Sequence, residues 1–472
     1  MSRDVVLGAD VGTSGLKLVA LGVDGAVVAE AESGYQPESP RPGWAQSEVG
    51  TWRRRLDVTM AEIATALAGA RVRALGLSGQ MHGAVLTDAC GRPLGPALLW
   101  PDERAAGEVA RWWALPAADR AALANPITAG MTGPFAAWLA RHEPTLVESA
   151  AALLLPKDAL RALLVPDADP RATDRSDASA TLLWDVGADG WSAAAVRAAG
   201  IGEALLPAVR PATEVVGTAL LPLGEVPVVI GAADTPLALL AAGGGDDQVN
   251  LGTGAQVLRP GVRPEPADDP PVHTYADAAD GWYAMAALRN GGSAWAWVCR
   301  VLGLSWAELF EAAESVPPGA GGVVFRPYLS GERSGVASGE RGSFRGLQPS
   351  TTRADLARAA VEGVLIAVAA AAELLPGSVP DGPVLASGGG SRAAVVPQLL
   401  ADLLGRRVRR VPLRSASAVG AALLAARAAG LEVVPAVATE PVVEPRPGSP
   451  MAAAAERWTG GAGVEPRLHG HR

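Results

Sequence analysis

The sequence predicts an α/β protein of two domains. Three observations carry that expectation. The chain has 472 residues, more than one hydrophobic core ordinarily organises. Short apolar runs alternate with helical patterns, as in a layered α/β domain. A strand, a Gly-Thr turn and a second strand occur twice, at Gly12 and at Gly252, which suggests two related domains.

The first segment reads strand, turn, strand, turn, strand. Val5 to Leu7 is apolar, Asp10 to Gly15 is the turn, Leu16 to Leu21 is apolar, and Asp24-Gly25 marks a hairpin before Ala26 to Ala29. A helix is expected over 49–68 and a strand over 73–78. The stretch 108–208 reads mainly helical. Pro227 to Ile230 is a short buried strand that ends in Gly231-Ala232-Ala233-Asp234, with a helix beyond. Gly243-Gly244-Gly245 marks the domain boundary. The expected domains are thus 1–243 and 244–434, followed by a Pro- and Gly-rich, frayed tail over 435–472. Thr352 to Asp355 reads as a capping box opening a long helix through Leu375.

Composition narrows the function. Forty Lys and Arg against 49 Asp and Glu give a net charge of −9, which argues against nucleic acid as a partner. The two cysteines, Cys90 and Cys299, form no Cys-x-x-Cys pair, so neither a zinc site nor a disulfide framework is expected. The start carries no signal-peptide pattern, and the apolar run near Val364 to Ala372 is too short to span a bilayer. The expectation is a cytoplasmic protein with no membrane partner. Only two lysines, Lys17 and Lys157, stand among the 40 basic residues. A lysine that persists under such a bias is a candidate for a point-charge role that Arg fills poorly.

Four loops are chemical candidates. In Asp10-Val11-Gly12-Thr13-Ser14-Gly15, small residues let backbone N–H groups face a phosphate. Thr13 and Ser14 offer hydroxyls, and Lys17 offers charge. Asp10 would repel phosphate unless Mg²⁺ stood between them. Neither the Walker A spacing nor a Rossmann fingerprint is present. Asp234 ends a buried strand and opens a helix, where a carboxylate can take a hydroxyl proton or simply cap the helix. Gly79-Gln80-Met81-His82-Gly83 offers polar and soft side chains suited to a polyol, or reads as a plain loop. Gly388-Gly389-Gly390-Ser391 lets backbone approach a nucleotide, or is a strand-to-helix turn. Arg53 to Arg55 and the Trp112-Trp113 pair read as helix faces and core.

Together these segments resemble the FGGY carbohydrate kinases. The ordered matches run from Val5 to Ala426. They include GADVGTSGLKL from Gly8, GWAQSE from Gly43, GLSGQMHGAVLTD from Gly76, LLWPDERA from Leu98 and LLPKDALR from Leu154. TDRSDASATLLWD from Thr173, GAADTPLALLAAG from Gly231, NLGTGAQ from Asn250, RPYLSGERS from Arg326, ASGGGSR from Ala386 and SASAVGAALLAA from Ser415 continue the series.

The resemblance implies two actin-like, ribonuclease H-like domains around a central cleft. It implies ATP and Mg²⁺ as cofactors. Gly12, Thr13, Ser14 and Lys17 would meet nucleotide phosphates, with Gly252, Thr253 and Gly254 opposite and Gly389, Gly390 and Ser391 near the nucleoside. Asp10 would serve the metal and Asp234 would be the base. Gln80, Met81, His82, Asp102 and Arg104 would contact sugar. Gln80 to Gly83 directs the expectation to phosphorylation of D-xylulose at its terminal hydroxyl. Ribulose, gluconate or another polyol is the alternative, and a non-catalytic sugar- or nucleotide-binding protein is the alternative of another class. A homodimer is the quaternary expectation. Four positions depart from the family pattern: Pro101 and Thr235 where Asn is usual, Phe135 where Lys is usual, and Val396 where an aromatic residue is common.

Overall fold

The computed structural model describes residues 4–329, 331–332, 340–436 and 440–460. Part of the segment from Arg326 to Ser334 and the end of the expected tail lie outside the described residues. The chain divides into two compact units. The first comprises Met1–Gly244, Gly261–Tyr283 and Leu413–Val437, and the second Gly245–Pro260, Ala284–Pro412 and Ala438–Arg472.

The first unit is built on a sheet in the order Val215–Leu221, Gly224–Val229, Arg71–Gly79, Asp4–Val11, Gly15–Gly22, Val27–Gly34. Asp4–Val11 pairs antiparallel with Gly15–Gly22 and parallel with Arg71–Gly79. Asp10 therefore belongs to a strand, and the expected turn shrinks to Gly12 to Ser14, which Gly12 N–H closes on Gly15 O at 3.0 Å. On one face, the helix Val49–Ala64 buries Trp52, Leu56 and Met60 against Leu7, Leu16 and Leu77.

The other face is covered by the helix Ala416–Ala428, which the sequence assigned to the second domain. Its packing is backbone on backbone. A Cβ on Gly8 would lie 1.9 Å from Ala418 O, and one on Gly76 would lie 1.9 Å from Ala421 O. Only glycine in these strands lets the helix settle so low. Gly420 in turn receives the helix Asp234–Ala241, since a Cβ there would meet Leu237 O at 2.1 Å. Close approach, not sequence proximity, decides where this helix packs.

The stretch 108–208 is less helical than its composition predicts. Ala152–Leu154, Ala172–Asp174, Trp184–Asp185 and Gly190–Trp191 are short strands between helices. Trp112 is buried, whereas Trp113 is 43% exposed.

In the second unit the strands run in the order Trp282–Leu288, Ala255–Pro260, Gln248–Leu251, Val384–Ser387, Val408–Arg410, Val442–Val443. The helix Arg353–Glu373 starts at the expected capping box, with Thr352 and Asp355 bonded reciprocally. The segment expected to fray carries the helix Met451–Gly460 instead. Trp458 anchors it, buried under the Arg326 guanidinium at 3.7 Å and donating to Phe325 O at 2.9 Å. No helix among the described residues is long and apolar enough to cross a membrane.

Candidate active site

Asp10 stands at the end of its strand and accepts a hydrogen bond from Ser78 Oγ at 2.7 Å. Across the ladder it faces Lys17, which faces Glu32. Burial pushes the Asp10 carboxyl above its ordinary range and the Glu32 charge adds to this, while Ser78 and Lys17 oppose it. Lys17 is thus tied electrostatically to Asp10.

The turn after Asp10 is held by side chains. Tyr35 donates its hydroxyl to Gly12 O, and Gln80 Nε2 donates to the same oxygen at 3.2 Å. Thr13 Oγ1 donates to Gln80 Oε1 at 3.1 Å and accepts from Trp100 Nε1 at 2.8 Å. Gln80 is buried and braces the phosphate-loop candidate, whereas Ser14 is exposed at the tip.

His82 sits at φ 69°, in the left-handed region that side chains seldom adopt. Its Nδ1 lies 2.6 Å from Ala180 O. A carbonyl can only accept, so Nδ1 carries the proton. Thr132 Oγ1 secures the loop through His82 O and Gly83 O at 3.2 and 3.1 Å. Met81 is buried and receives the Tyr283 hydroxyl at its Sδ, 3.9 Å away.

Asp234 is the first residue of its helix. The two-residue strand before it pairs with the strand carrying the His82 loop, Ala232 against Ser78 and Ala233 against Gly79. The base candidate and the candidate polyol loop therefore leave the C-terminal ends of two adjacent parallel strands. Burial and then the charge of Asp10 raise the Asp234 carboxyl to about 7, against the pull of its bonds from Thr235. A carboxylate so tuned is poised for proton transfer near neutral pH.

Asp102 and Arg104 are committed to each other. Arg104 Nε bonds both Asp102 oxygens at 3.0 and 2.9 Å, and Asp102 Oδ2 also accepts Ala45 N–H at 2.6 Å. Both side chains are nearly solvent-free. The guanidinium lies 3.8 Å over the Trp44 ring and 5.2 Å from that of Trp138. The pair locks Trp44 in place rather than presenting open charge.

In the second unit the Gly252 to Gly254 turn is tied to the start of the helix Gly292–Leu302. Gly292 N–H donates to Gly252 O and Ser293 N–H to Thr253 O, both at 2.9 Å. The Thr253 side chain is exposed. Within the later glycine run the three positions differ. A Cβ on Gly388 would meet Asn250 Oδ1 at 2.6 Å, and one on Gly390 would meet Trp295 at 2.6 Å, but Gly389 has open space above it. Ser391 is buried and donates to Gly388 O at 2.8 Å, closing the turn.

The departures resolve individually. Thr235 donates to Asp234 as its neighbour, Phe135 is fully buried, Val396 is a core residue, and Pro101 is exposed. Three of the four tyrosines, Tyr35, Tyr275 and Tyr283, belong to the first unit, so their scarcity was a usable signal that motif reading missed. Tyr275 packs with its ring 5.7 Å from that of His82 and 6.0 Å from that of Tyr283. Ser78 and Trp100 lay inside quoted motifs without an assigned role.

Among the described residues no group of three or more His, Cys, Asp or Glu could cage a metal. A single carboxylate suits an ion that arrives on a nucleotide and keeps most of its water, as Mg²⁺ does. The donor set fits in that sense.

The model of the FGGY family of carbohydrate kinases, N-terminal domain, matches residues 5–241, and that of the C-terminal domain matches 248–429. The chain belongs to the FGGY family of carbohydrate kinases. Among FGGY relatives, it is 33% identical over 447 residues to the xylulose kinase of Escherichia coli strain K12, covering 91% of this chain and 90% of the relative. It is 32% identical over 449 residues to the xylulose kinase of Klebsiella pneumoniae, covering 90% of each. The crystal structure of xylulose kinase from Rhodospirillum rubrum superposes with a TM-score of 0.87 at 29% identity, over 97% of this chain and 98% of that one. The fold of this FGGY kinase is thus the two-domain, actin-like α/β fold.

Proposed function

We propose that this carbohydrate kinase transfers the γ-phosphoryl group of ATP to the terminal hydroxyl of D-xylulose, giving D-xylulose 5-phosphate. The observation that carries the chemistry is Asp234, a buried carboxylate raised to about 7 beside the Gln80 to His82 loop. The sugar is proposed from the similarity to the xylulose kinases and from Met81 and His82.

Asp234 Oδ2 takes the hydroxyl proton as the sugar oxygen bonds to phosphorus and the bond to the ADP oxygen breaks, its electron pair leaving with ADP. Both bonds from Thr235 fall on Oδ1 and orient the carboxylate. His82, whose Nδ1 donates to Ala180 O, is assigned to a sugar hydroxyl. Gly12, Thr13 and Ser14 are assigned to phosphate. In the second unit, Gly252, Thr253, Gly254 and Gly389 are assigned to the nucleotide. Asp10 would hold Mg²⁺ through water, with Lys17 balancing the charge of Asp10 and Glu32. Mg²⁺, when bound, supplies neutralisation of the phosphate oxygens.

A coupled ADP-release assay over ketoses, aldonates and polyols tests the reading. D-xylulose is expected to give the highest kcat/KM. A higher value for ribulose or gluconate, which Pro101 and Thr235 keep in view, replaces the sugar. No sugar-stimulated ADP release removes kinase activity altogether.

A further inference from the structure

The five-residue helix Arg175–Ser179 touches both halves of the candidate site. Ala180, its C-terminal neighbour, accepts from His82 Nδ1 at 2.6 Å. Ser179 Oγ accepts from Ala276 N–H at 3.0 Å, beside Tyr275. Ser176 Oγ accepts from Ala233 N–H at 2.9 Å. Ala233 is the residue before Asp234 and caps the Asp234–Ala241 helix, with no side-chain bond of its own to give.

We infer that Ser176 is the positioning residue of the base: it fixes Asp234 through the Ala233 amide, and Asp174 and Lys157 hold Ser176 in turn. The inference rests on the assignment of Asp234 as base.

The geometry is two buried hydrogen bonds in series that end on an ion pair. Ser176 accepts from Ala233 and gives its own hydrogen to Asp174 Oδ2, which also takes Ser176 N–H at 2.7 Å. The other oxygen of Asp174 lies 3.0 Å from Lys157 Nζ. Lys157, Asp174, Ser176 and Ala233 are each no more than 1% exposed. Donation to a carboxylate makes a hydroxyl oxygen a better acceptor, so the Ser176 to Ala233 bond is reinforced from behind. Lys157 also meets Asp158 at 2.8 Å and Asp177 at 3.0 Å. The lysine offers one compact charge to three carboxylates, a geometry for which the planar Arg fork is unsuited. That gives a physical use for one of the chain's two lysines.

The position matters because the ladder ends there. Ala233 pairs with Gly79 as the last residue of its strand, and beyond it the sheet no longer restrains the chain. The bond to Ser176 holds the last amide before the carboxylate. Gly79 must also be glycine, since a Cβ would lie 2.8 Å from Lys157 Cβ. The same buried lysine therefore abuts the strand end that launches the His82 loop. A hydroxyl that donates and accepts at once is what the site requires, and alanine supplies neither.

Steady-state kinetics of Ser176→Ala, Ser176→Thr and Asp234→Asn, with D-xylulose and ATP varied separately, test this. Ser176→Ala is expected to lower kcat about 10- to 100-fold, the scale of a sub-ångström misplacement, with both KM values within about twofold of wild type. Ser176→Thr, which keeps the hydroxyl, is expected to recover kcat to within about threefold. Wild-type kcat in Ser176→Ala overturns the inference, as does a rise in KM alone or a Thr variant as slow as the Ala variant. If Ser176→Ala does not fold, Ser176→Cys carries the test, sulfur being a weak acceptor. Reduced kcat at unchanged KM then supports the role, and wild-type kcat overturns it. Full turnover in Asp234→Asn overturns the base assignment itself; loss there with normal Ser176→Ala turnover overturns only the positioning role.

Discussion

Thr235 donates twice to one oxygen of Asp234, from its backbone N–H at 2.6 Å and from its hydroxyl at 3.2 Å. Both bonds favour the ionised carboxyl and oppose the burial that lifts it to about 7. As the proposed base, Asp234 must be ionised to accept a proton, so kcat is expected to fall as pH drops through about 7. Thr235→Val keeps the backbone bond and loses the hydroxyl. Its carboxyl should hold the proton more tightly, and the acid limb should move to higher pH. The kcat–pH profile of the two proteins reads this directly, and a limb that stays in place removes Thr235 from the tuning of the base.

The same raised affinity sets a stability cost. Asp234 binds a proton more tightly when folded than its ordinary value of 3.8 allows. Between that value and about 7 the folded state therefore carries more proton than the unfolded state, and stability falls as pH rises. Above pH 7 the whole cost is present, on the order of 4 kcal/mol for a buried group shifted this far. Asp234→Asn should abolish turnover and yet melt at a higher temperature than wild type at pH 8, with the difference vanishing near pH 4. Thermal unfolding at the two pH values checks it. Equal melting at pH 8 would show that the carboxylate is solvated.

Much of the candidate site could be proposed from sequence because its residues stand at strand ends marked by glycine. Asp10, His82 and Asp234 could each be placed from a few residues. What was not legible depends on contacts that no spacing encodes. Asp102 and Arg104 read as sugar ligands, but their burial and mutual bonding direct them to Trp44. The helix Ala416–Ala428 lies within the match of the C-terminal family domain, and no spacing shows that Gly8 and Gly76 admit its backbone to the first sheet. Trp458 lies in a Pro- and Gly-rich stretch whose composition argued for fraying, and one buried indole reverses that. Local pattern identified the elements; long-range approach decided their partners.

The glycine run 388–390 should separate by position. Gly390→Ala drives a Cβ to 2.6 Å from the buried Trp295 ring and is expected to destabilise by about 1–3 kcal/mol. Gly388→Ala adds a φ of 83° to a close approach on Leu251 O and should cost a similar amount, about 1–3 kcal/mol. In Gly389→Val the Cβ has nothing within 4 Å, and the substitution should change stability by less than about 0.5 kcal/mol, yet raise the KM for ATP while leaving that for sugar. Denaturant unfolding and kinetics on the three variants distinguish them. An unchanged ATP KM in Gly389→Val removes this position from the nucleotide site.

Asp10→Asn should act twice, in ways that one experiment separates. The substitution keeps a partner for Ser78 Oγ and removes the charge. Loss of the charge should weaken Mg²⁺ binding and raise the concentration needed for half-maximal rate by about tenfold or more. It should also relieve Asp234, because the Asp10 charge is the second cause of its raised affinity after burial. The sign is opposite to that of Thr235→Val. At saturating Mg²⁺ the acid limb of kcat should shift to lower pH, toward the ordinary carboxylate range. A kcat–pH profile measured at two Mg²⁺ concentrations resolves both effects. If the limb stays near 7 while the Mg²⁺ requirement rises, Asp10 serves the metal alone, and burial by itself sets the proton affinity of Asp234.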